Sequence, residues 1–359
     1  MTTNDASALE LYKKYRPQTW DEVVGQDRIT RPFKKAIIGG RVPPAMGFFG
    51  PAGCGKTTVA KILAKALNCE DRASDNPDPC NECDTCLAID ANEQMGVTYI
   101  SMANHHGVDN VREIVKKAWL NQPVKRQVWI LDEVHNLSAP AFDALLIPLE
   151  NEHMPSTFIM CSTVINKIPK TVLSRMSSRQ FMSATPDILA PLLESIAEKE
   201  GLEYEKSDVQ GAIMNGAGSV RDTIMNFETI LETGTSQISH VTSVIQSLAD
   251  KDTAAALSAI TRAESEGFAP RDLVESTIAG LRNLLMAVSG VDRELYGILP
   301  VPNPKEVAIA LAGKKGLIYT IDELGNSLFS VSKGTEPRLA FDLSIIKIIN
   351  RLQKSTGGK

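Results

Sequence analysis

The chain has 359 residues, 43% hydrophobic and 23% charged, with a formal net charge of −5. This composition excludes a collagen-like or disordered chain, and no apolar run approaches the roughly 18 residues of a membrane span. Only 3 Trp, 6 Tyr and 10 Phe are present, so a base-stacking sheet is a poor first guess for any nucleic-acid contact.

Length predicts two or three domains. The amino terminus MTTNDASALE lacks the basic and apolar blocks of a signal peptide, so the expected address is the cytoplasm. Charge is unevenly spread. Residues 1–68 hold eleven basic and five acidic side chains, whereas residues 69–95 hold one basic and eight acidic. A polyanion partner is therefore compatible with the acidic total, because the basic residues can occupy one face.

In chain order, Met46-Gly47-Phe48-Phe49, Val128-Trp129-Ile130-Leu131 and Phe158-Ile159-Met160-Cys161 read as buried parallel strands. Helical patterns at Thr57–Leu67 and Val108–Leu120 separate them. This alternation predicts an α/β layer with a parallel sheet. From Pro186 the pattern changes. Thr185-Pro186-Asp187 reads as a helix start and Gly201 as its stop. Helical segments follow near 208–215, 219–232, 239–248, 252–265, 270–288, 304–312, 318–333 and 338–352, with no comparable strand pattern. The reading is a small helical domain at about 186–240, a larger one from about 241, and a frayed tail over Ser355–Lys359.

Gly50-Pro51-Ala52-Gly53-Cys54-Gly55-Lys56-Thr57 fits G-x-x-x-x-G-K-[ST] between a strand and a helix, the context a phosphate loop needs. Its glycines let backbone N–H groups wrap phosphate oxygens at a helix N-terminus. Lys56 can reach the β- and γ-phosphates, the Thr57 hydroxyl can ligate Mg²⁺, and Thr58 follows in the same turn. The strand ending in Asp132-Glu133 supplies a carboxylate to hold the hydrated metal and one to orient and deprotonate water. Together these motifs predict hydrolysis of ATP or GTP.

Cys69, Cys80, Cys83 and Cys86 have the spacing of a closed tetrahedral Zn²⁺ site, whose role is structural. An iron–sulfur cluster is the chemical rival, although the further Cys-Pro of its common run is missing. The surrounding acids make this insertion a protein-contact or folding element rather than a nucleic-acid finger. Cys54 and Cys161 read as packed thiols.

These motifs in their order resemble the γ/τ family of bacterial clamp-loader ATPases. The likeness runs from about Tyr12 to about 350. It is carried by Tyr12-Lys13-Lys14-Tyr15-Arg16-Pro17, Val23-Val24-Gly25-Gln26, the phosphate loop, the cysteine insertion, Gly107-Val108-Asp109, Asp132-Glu133-Val134-His135, Leu173-Ser174-Arg175 and Gly218-Ser219-Val220-Arg221-Asp222.

The resemblance implies an α/β P-loop AAA+ domain over 1–185 with a zinc module at 69–95. A helical lid over 186–240 and an all-α collar over 241–359 would follow. It assigns Tyr15, Arg16, Val23 and Val24 to the adenine and ribose side, Thr163 to sensor 1, Arg175 to an arginine finger acting in trans, and Arg221 to sensor 2. It implies ATP, Mg²⁺ and structural Zn²⁺. The implied partners are the other loader subunits in a pentameric ring, the sliding clamp and primer–template DNA, with no membrane.

Three departures stand out. His105-His106 precedes Gly107 where the family has Asn-Asn or a basic residue, and two exposed loop histidines without a DNA role are the simpler reading. Ile147-Pro148-Leu149-Glu150 replaces Lys-Thr-Leu-Glu, and Pro148 is expected to kink its helix. Ser177-Ser178-Arg179 makes Arg179 a second finger candidate, although spacing from Thr163 favours Arg175. Glu336-Pro337-Arg338-Leu339-Ala340 resembles the family's collar helix at the subunit ring.

Nothing after about 352 matches the extra domains of the long form. The short form is therefore expected, in a phage-encoded or minimal bacterial loader. The rival functions are a non-hydrolysing stator, against which Lys56, Asp132 and Glu133 argue, and another AAA+ remodelling ATPase, which would leave the cysteine module unexplained.

Overall fold

A computed structural model describes residues 10–91, 96–120, 124–151, 153–233, 237–291, 301 and 303–356. The chain divides into two compact units, Lys13–Ala184 and the remainder. A short helix, α1 (Leu11–Lys14), crosses that division.

The first unit is built on a five-stranded parallel sheet: β1 (Ala45–Phe49), β2 (Val97–Ser101), β3 (Gln127–Asp132), β4 (Ser156–Ser162) and β5 (Ser177–Gln180). Spatial order is β2-β3-β4-β1-β5. Every residue of β1 and β4 is buried, as expected of central parallel strands covered on both faces. Because side chains alternate across a strand, each strand feeds two cores. Met46, Phe48, Ile130, Ile159 and Cys161 pack on one side with α2 (Asp27–Ile38) and α3 (Lys56–Asn68). Phe49, Trp129, Leu131, Phe158 and Met160 pack on the other. That second face is covered by α5 (Val108–Ala118) and α6 (Ala139–Glu150), whereas the short α4 (Asp84–Asp90) belongs to the cysteine insertion.

Two strands, β2 and β5, carry no buried apolar run and did not stand out in the sequence. Both are edge strands, and their patterns, VTYIS and SSRQ, are half exposed because only one neighbour covers them. Helix α6 continues through Pro148 to Glu150. The short α7 (Lys170–Leu173) leads into β5.

The second unit is helical: α8 (Pro186–Glu200), α9 (Lys206–Gly216), α10 (Val220–Thr233), α11 (Gln237–Asp250), α12 (Thr253–Ser265), α13 (Pro270–Val288), α14 (Pro304–Ala310), α15 (Gly313–Ser332) and α16 (Pro337–Thr356). Thr185 stands at the N-cap of α8 but its side chain makes no capping bond, and Gly201 closes the helix in the left-handed region at φ 65°. Helix α15 begins five residues before the expected start. Helix α16 includes Ser355 and Thr356, correcting the expectation that these two fray; residues 357–359 lie outside the described residues. Residues from Val241 to Leu352 share one apolar core. Among the described residues, no helix is long and apolar enough to cross a membrane.

Candidate nucleotide site and cysteine cluster

Ligands of open parallel sheets sit beyond the carboxyl ends of the strands. Strand β4 lies between β1, which feeds the phosphate loop, and β3, which ends in Asp132. The ends of all three strands therefore converge. Gly50 turns the chain at φ 150°, where an added Cβ would lie 2.5 Å from Phe181 O. Gly55 at φ 95° stands immediately before α3, and only glycine adopts this conformation cheaply. Helix α3 thus begins at Lys56, with its first N–H groups at the loop.

Lys56 is buried, and its Nζ donates to Gly50 O at 2.8 Å and Pro51 O at 2.5 Å. The ammonium is folded back onto its own loop, spanning the concavity in which phosphate oxygens would compete for it. Thr57 Oγ1 donates to Asp132 Oδ2 at 2.7 Å. This is the separation expected of two groups poised to share a hydrated divalent cation.

Glu133 is exposed, with φ 54° and ψ 38°. A non-glycine residue held in the left-handed region costs of order 1–2 kcal/mol. Its N–H donates to Asp132 Oδ1 at 2.8 Å. Thr163 follows β4 and is exposed, beside buried Ser162. Pro51 and Ala52 are exposed at the loop tip, with Gly53 and Thr58 half-buried.

Cys54 lies beneath the loop, its Sγ donating to Pro51 O at 2.9 Å. Burial pushes this thiol up, and the Lys56 ammonium partly opposes the shift. Burial, reinforced by the Asp132 carboxylate, raises Cys161 well above an ordinary thiol. Both are packed residues.

On the proposed base side, Arg16 Nε donates to Thr58 Oγ1 at 3.3 Å, tying the Tyr15-Arg16 segment to the first turn of α3. Val23 packs against the core beneath α2 and α3, and Tyr15 and Val24 are half-buried.

The two finger candidates differ in surroundings. Arg175 follows α7 and pairs with Glu150 at 3.1 Å. Arg179 lies within β5, its guanidinium 5.6 Å from the centre of the Phe33 ring. Arg221 belongs to the helical unit, in the first turn of α10, and stacks over Tyr12 at 5.0 Å. His105 and His106 are both exposed.

The four insertion cysteines converge, with all Sγ atoms within 4.8 Å of one another. Four thiolates about 2.3 Å from one ion lie about 3.8 Å apart, close to the 3.9 Å between Cys80 and Cys86. The N–H groups of Glu82 and Cys83 donate to Cys80 Sγ at 3.5 and 3.3 Å, and Asn81 takes φ 63° to aim them. Burial opposes ionisation of Cys80, but these N–H groups and the adjacent thiols outweigh it and bring the thiol down to about 7. Burial instead raises Cys69 and Cys86. No cysteine is in a disulfide, so the cluster can hold a metal ion.

Comparison with known proteins places the chain in a family. A family model described as DNA polymerase III, delta subunit, matches residues 25–185. The chain is 31% identical over 363 residues to the DNA polymerase III subunit tau of Bacillus subtilis, covering 96% of this chain and 64% of that protein. It is 30% identical over 245 residues to the DNA polymerase III subunit gamma of Buchnera aphidicola subsp. Acyrthosiphon pisum, covering 67% of each. This chain belongs to the DNA polymerase III gamma/tau family.

The chain spans just under two thirds of the length of the Bacillus relative. The solved Thermotoga maritima RuvB Holliday junction branch migration motor aligns at a TM-score of 0.46 with 19% identity, covering 77% of this chain and 86% of that one; that likeness is too slight to carry an argument.

Three residues of this gamma/tau chain received no role from its motifs. Tyr99 Oη donates to Asp132 Oδ2 at 3.0 Å, and burial together with that carboxylate pushes its phenol up. Gln26 is buried and its Nε2 donates to Cys54 O at 3.3 Å and Met182 O at 2.8 Å, bracing the phosphate loop from below. Ser162 Oγ lies 3.2 Å from His135 Nδ1, linking the ends of β3 and β4. Tyr99 could have been found from the β-branched and aromatic run Val97-Thr98-Tyr99-Ile100. Ser162 and Gln26 carry no local signal of their own.

Proposed function

We propose that this chain is the ATP-hydrolysing motor subunit of a sliding-clamp loader in DNA replication. The observation that carries the reading is the 2.7 Å bond between Thr57 and Asp132 at the mouth of α3, with Glu133 next in sequence. It joins the phosphate loop to the acidic strand end in the arrangement that nucleoside triphosphate hydrolysis needs.

The loop N–H groups and Lys56 would cradle the phosphates of ATP. Tyr15, Arg16, Val23 and Val24 would wall the adenine and ribose. Thr57 and Asp132 would hold Mg²⁺, which when bound neutralises charge on the β- and γ-oxygens. Glu133 would orient a water molecule and take its proton. Thr163 would sense the γ-phosphate, Arg221 would approach it from a lid over 186–240, and Arg175 would reach the ATP of a neighbouring subunit. Zinc would close the Cys69, Cys80, Cys83 and Cys86 site as a structural ion.

We read residues from 241 onward as a collar that joins a pentameric ring with the other loader subunits. Supporting this, Ile309, Ile318, Phe329, Leu339 and Leu343 remain exposed on α14 to α16, the kind of surface an assembly partner covers. Arg338 points to a different use. It hydrogen-bonds Asp342, Glu264 and Thr261 of its own unit, so it braces the collar helix rather than reaching outward. Binding ATP would close the ring on primer–template DNA, through phosphate contacts without sequence readout, and hold the clamp open; hydrolysis would release it. The setting is the cytoplasm.

The test is the purified chain with loader subunits, clamp and primed circular DNA. ATP turnover should rise with clamp and DNA together, and clamp should be recovered on the DNA circle. An unstimulated rate and no loaded clamp would refute the assignment.

A further inference from the structure

Lys65 lies in the third turn of α3, and its side chain is 1% exposed. Its ammonium has three donors, and three acceptors meet it: Gln18 Oε1 at 2.5 Å, Asn81 Oδ1 at 2.7 Å and Asp90 Oδ2 at 2.9 Å. Each acceptor comes from a different segment. Gln18 lies in the stretch between Arg16 and Val23, Asn81 sits in the turn between Cys80 and Cys83, and Asp90 ends the helix that carries Cys86.

A second set of bonds joins the same partners independently of Lys65. Trp20 N donates to Asp78 Oδ1 at 2.7 Å, Trp20 Nε1 donates to Pro77 O at 3.0 Å, and Asn81 Nδ2 donates to Gln18 O at 3.4 Å. Trp20 itself is buried and stacks on Phe33 of α2 at 5.9 Å between ring centres. The 16–26 stretch is thus pinned to the first turn of α3 through Arg16, to the phosphate loop through Gln26, and to the cysteine insertion at Gln18 and Trp20.

We propose that Lys65 is a positioning residue through which the folded cysteine module sets the base side of the nucleotide pocket. The inference rests on reading residues 15–24 as the wall for adenine and ribose. An insertion of this length, closed around an ion by Cys69, Cys80, Cys83 and Cys86, holds Asn81 and Asp90 in place. Those two residues hold the Lys65 ammonium, and Lys65 holds Gln18. The phosphate loop has its own supports in Gln26 and in the start of α3. Loss of the module therefore relaxes the base wall while leaving the phosphate cradle standing. An ion held by the four cysteines would bear on nucleotide selection only through these residues, without touching nucleotide.

The discriminating measurement is equilibrium binding of ATP, GTP and inorganic tripolyphosphate to the full-length chain. The chain is tested as parent, as Lys65→Met, as Gln18→Ala, and after metal removal by a thiol reagent and chelator. Metal content is measured in each sample. Lys65→Met and the stripped parent should each bind ATP on the order of 10-fold more weakly, the size typical of lost outer-shell support at a metal site. Discrimination between ATP and GTP should narrow, while tripolyphosphate affinity stays unchanged. Stripping the metal from Lys65→Met should add less than the stripped parent loses, because the Lys65 contacts are already cut and only the bonds from Trp20 to Asp78 and Pro77 and from Asn81 to Gln18 remain to be released. Gln18→Ala removes the final link without uncovering the buried ammonium's other two partners, so it reports even where Lys65→Met is poorly folded.

Equal weakening of ATP and tripolyphosphate would make Lys65 a general support of the fold and overturn the proposal. Unchanged ATP binding in Gln18→Ala and in the stripped parent would overturn it as well. A parent chain that binds neither ATP nor tripolyphosphate would sink the underlying nucleotide reading instead.

Discussion

Arg175 is tethered within its own subunit: Nε donates to Glu150 Oε2 at 3.1 Å and Nη1 to Thr171 O at 2.7 Å. Glu150 ends α6, the helix that follows the acidic strand end in sequence. Glu150 is largely exposed, at 66% of its side-chain area, and an ion pair in that setting contributes about 0–1 kcal/mol. So weak a tether would yield readily to a neighbour's triphosphate if Arg175 acts in trans as proposed. In a reconstituted ring, Arg175→Ala should lower turnover at the adjacent site by about 10³-fold or more while its own ATP affinity stays within about twofold. Glu150→Gln should keep or raise the rate, by no more than the roughly fivefold that 1 kcal/mol allows. Single-turnover hydrolysis in mixed rings reads both, and full activity from an isolated Arg175→Ala mixture would remove the trans assignment.

Glu133, the proposed base, sits in a strained left-handed backbone. Glu133→Gln should leave ATP binding within a few-fold and lower the hydrolysis rate by about 10²–10⁴, the range for a positioned general base. Glu133→Gly should be equally inactive, yet more stable by about 1 kcal/mol, because glycine adopts the left-handed backbone at φ 54° without penalty. Thermal unfolding beside a turnover assay tests both halves. A fall in melting temperature for the glycine variant would show that the strain account is wrong.

Much of this was legible in the sequence for a definable reason. Central strands such as Phe158–Cys161 announce themselves because burial on both faces demands an unbroken apolar run. The phosphate loop does so because backbone approach to phosphate demands glycines at fixed spacing. Edge strands β2 and β5 carry no such demand, and with β2 went Tyr99, whose hydroxyl touches Asp132. Gln26 was visible only as part of a family motif. Its contacts, Cys54 and Met182, are 28 and 156 residues away, and no local pattern encodes pairings at that range. The Lys65 hub was hidden for a similar reason: a lysine on an amphipathic helix reads as solvent-facing until the insertion folds over it.

Gln26→Ala tests the brace under the phosphate loop. The change leaves the carbonyls of Cys54 and Met182 without this donor in a buried place, at a cost of about 1–3 kcal/mol. The expected result is ATP bound about 5–50-fold more weakly with kcat changed much less, since the brace acts on loop geometry and not on the reacting water. An unchanged KM would show that the loop holds its shape without Gln26.

Cys54 offers a pH-dependent readout of the same loop. The thiolate is the reactive form, and burial raises this thiol above its ordinary range while the Lys56 ammonium pulls it partly back. Below its pKa the thiolate fraction grows about tenfold per pH unit. Alkylation of Cys54 by a maleimide should therefore be slow at pH 7 and climb steeply toward pH 9. Lys56→Met, which keeps the bulk and removes the charge, should slow the reaction further at every pH because the opposing ammonium is gone. Bound ATP should slow it as well, by covering the loop. Peptide mapping by mass spectrometry separates Cys54 from the four clustered thiols. Faster labelling of Cys54 in Lys56→Met than in the parent at pH 7 would mean that access, not ionisation, governs this thiol, and that the loop opens once its ammonium no longer spans Gly50 and Pro51.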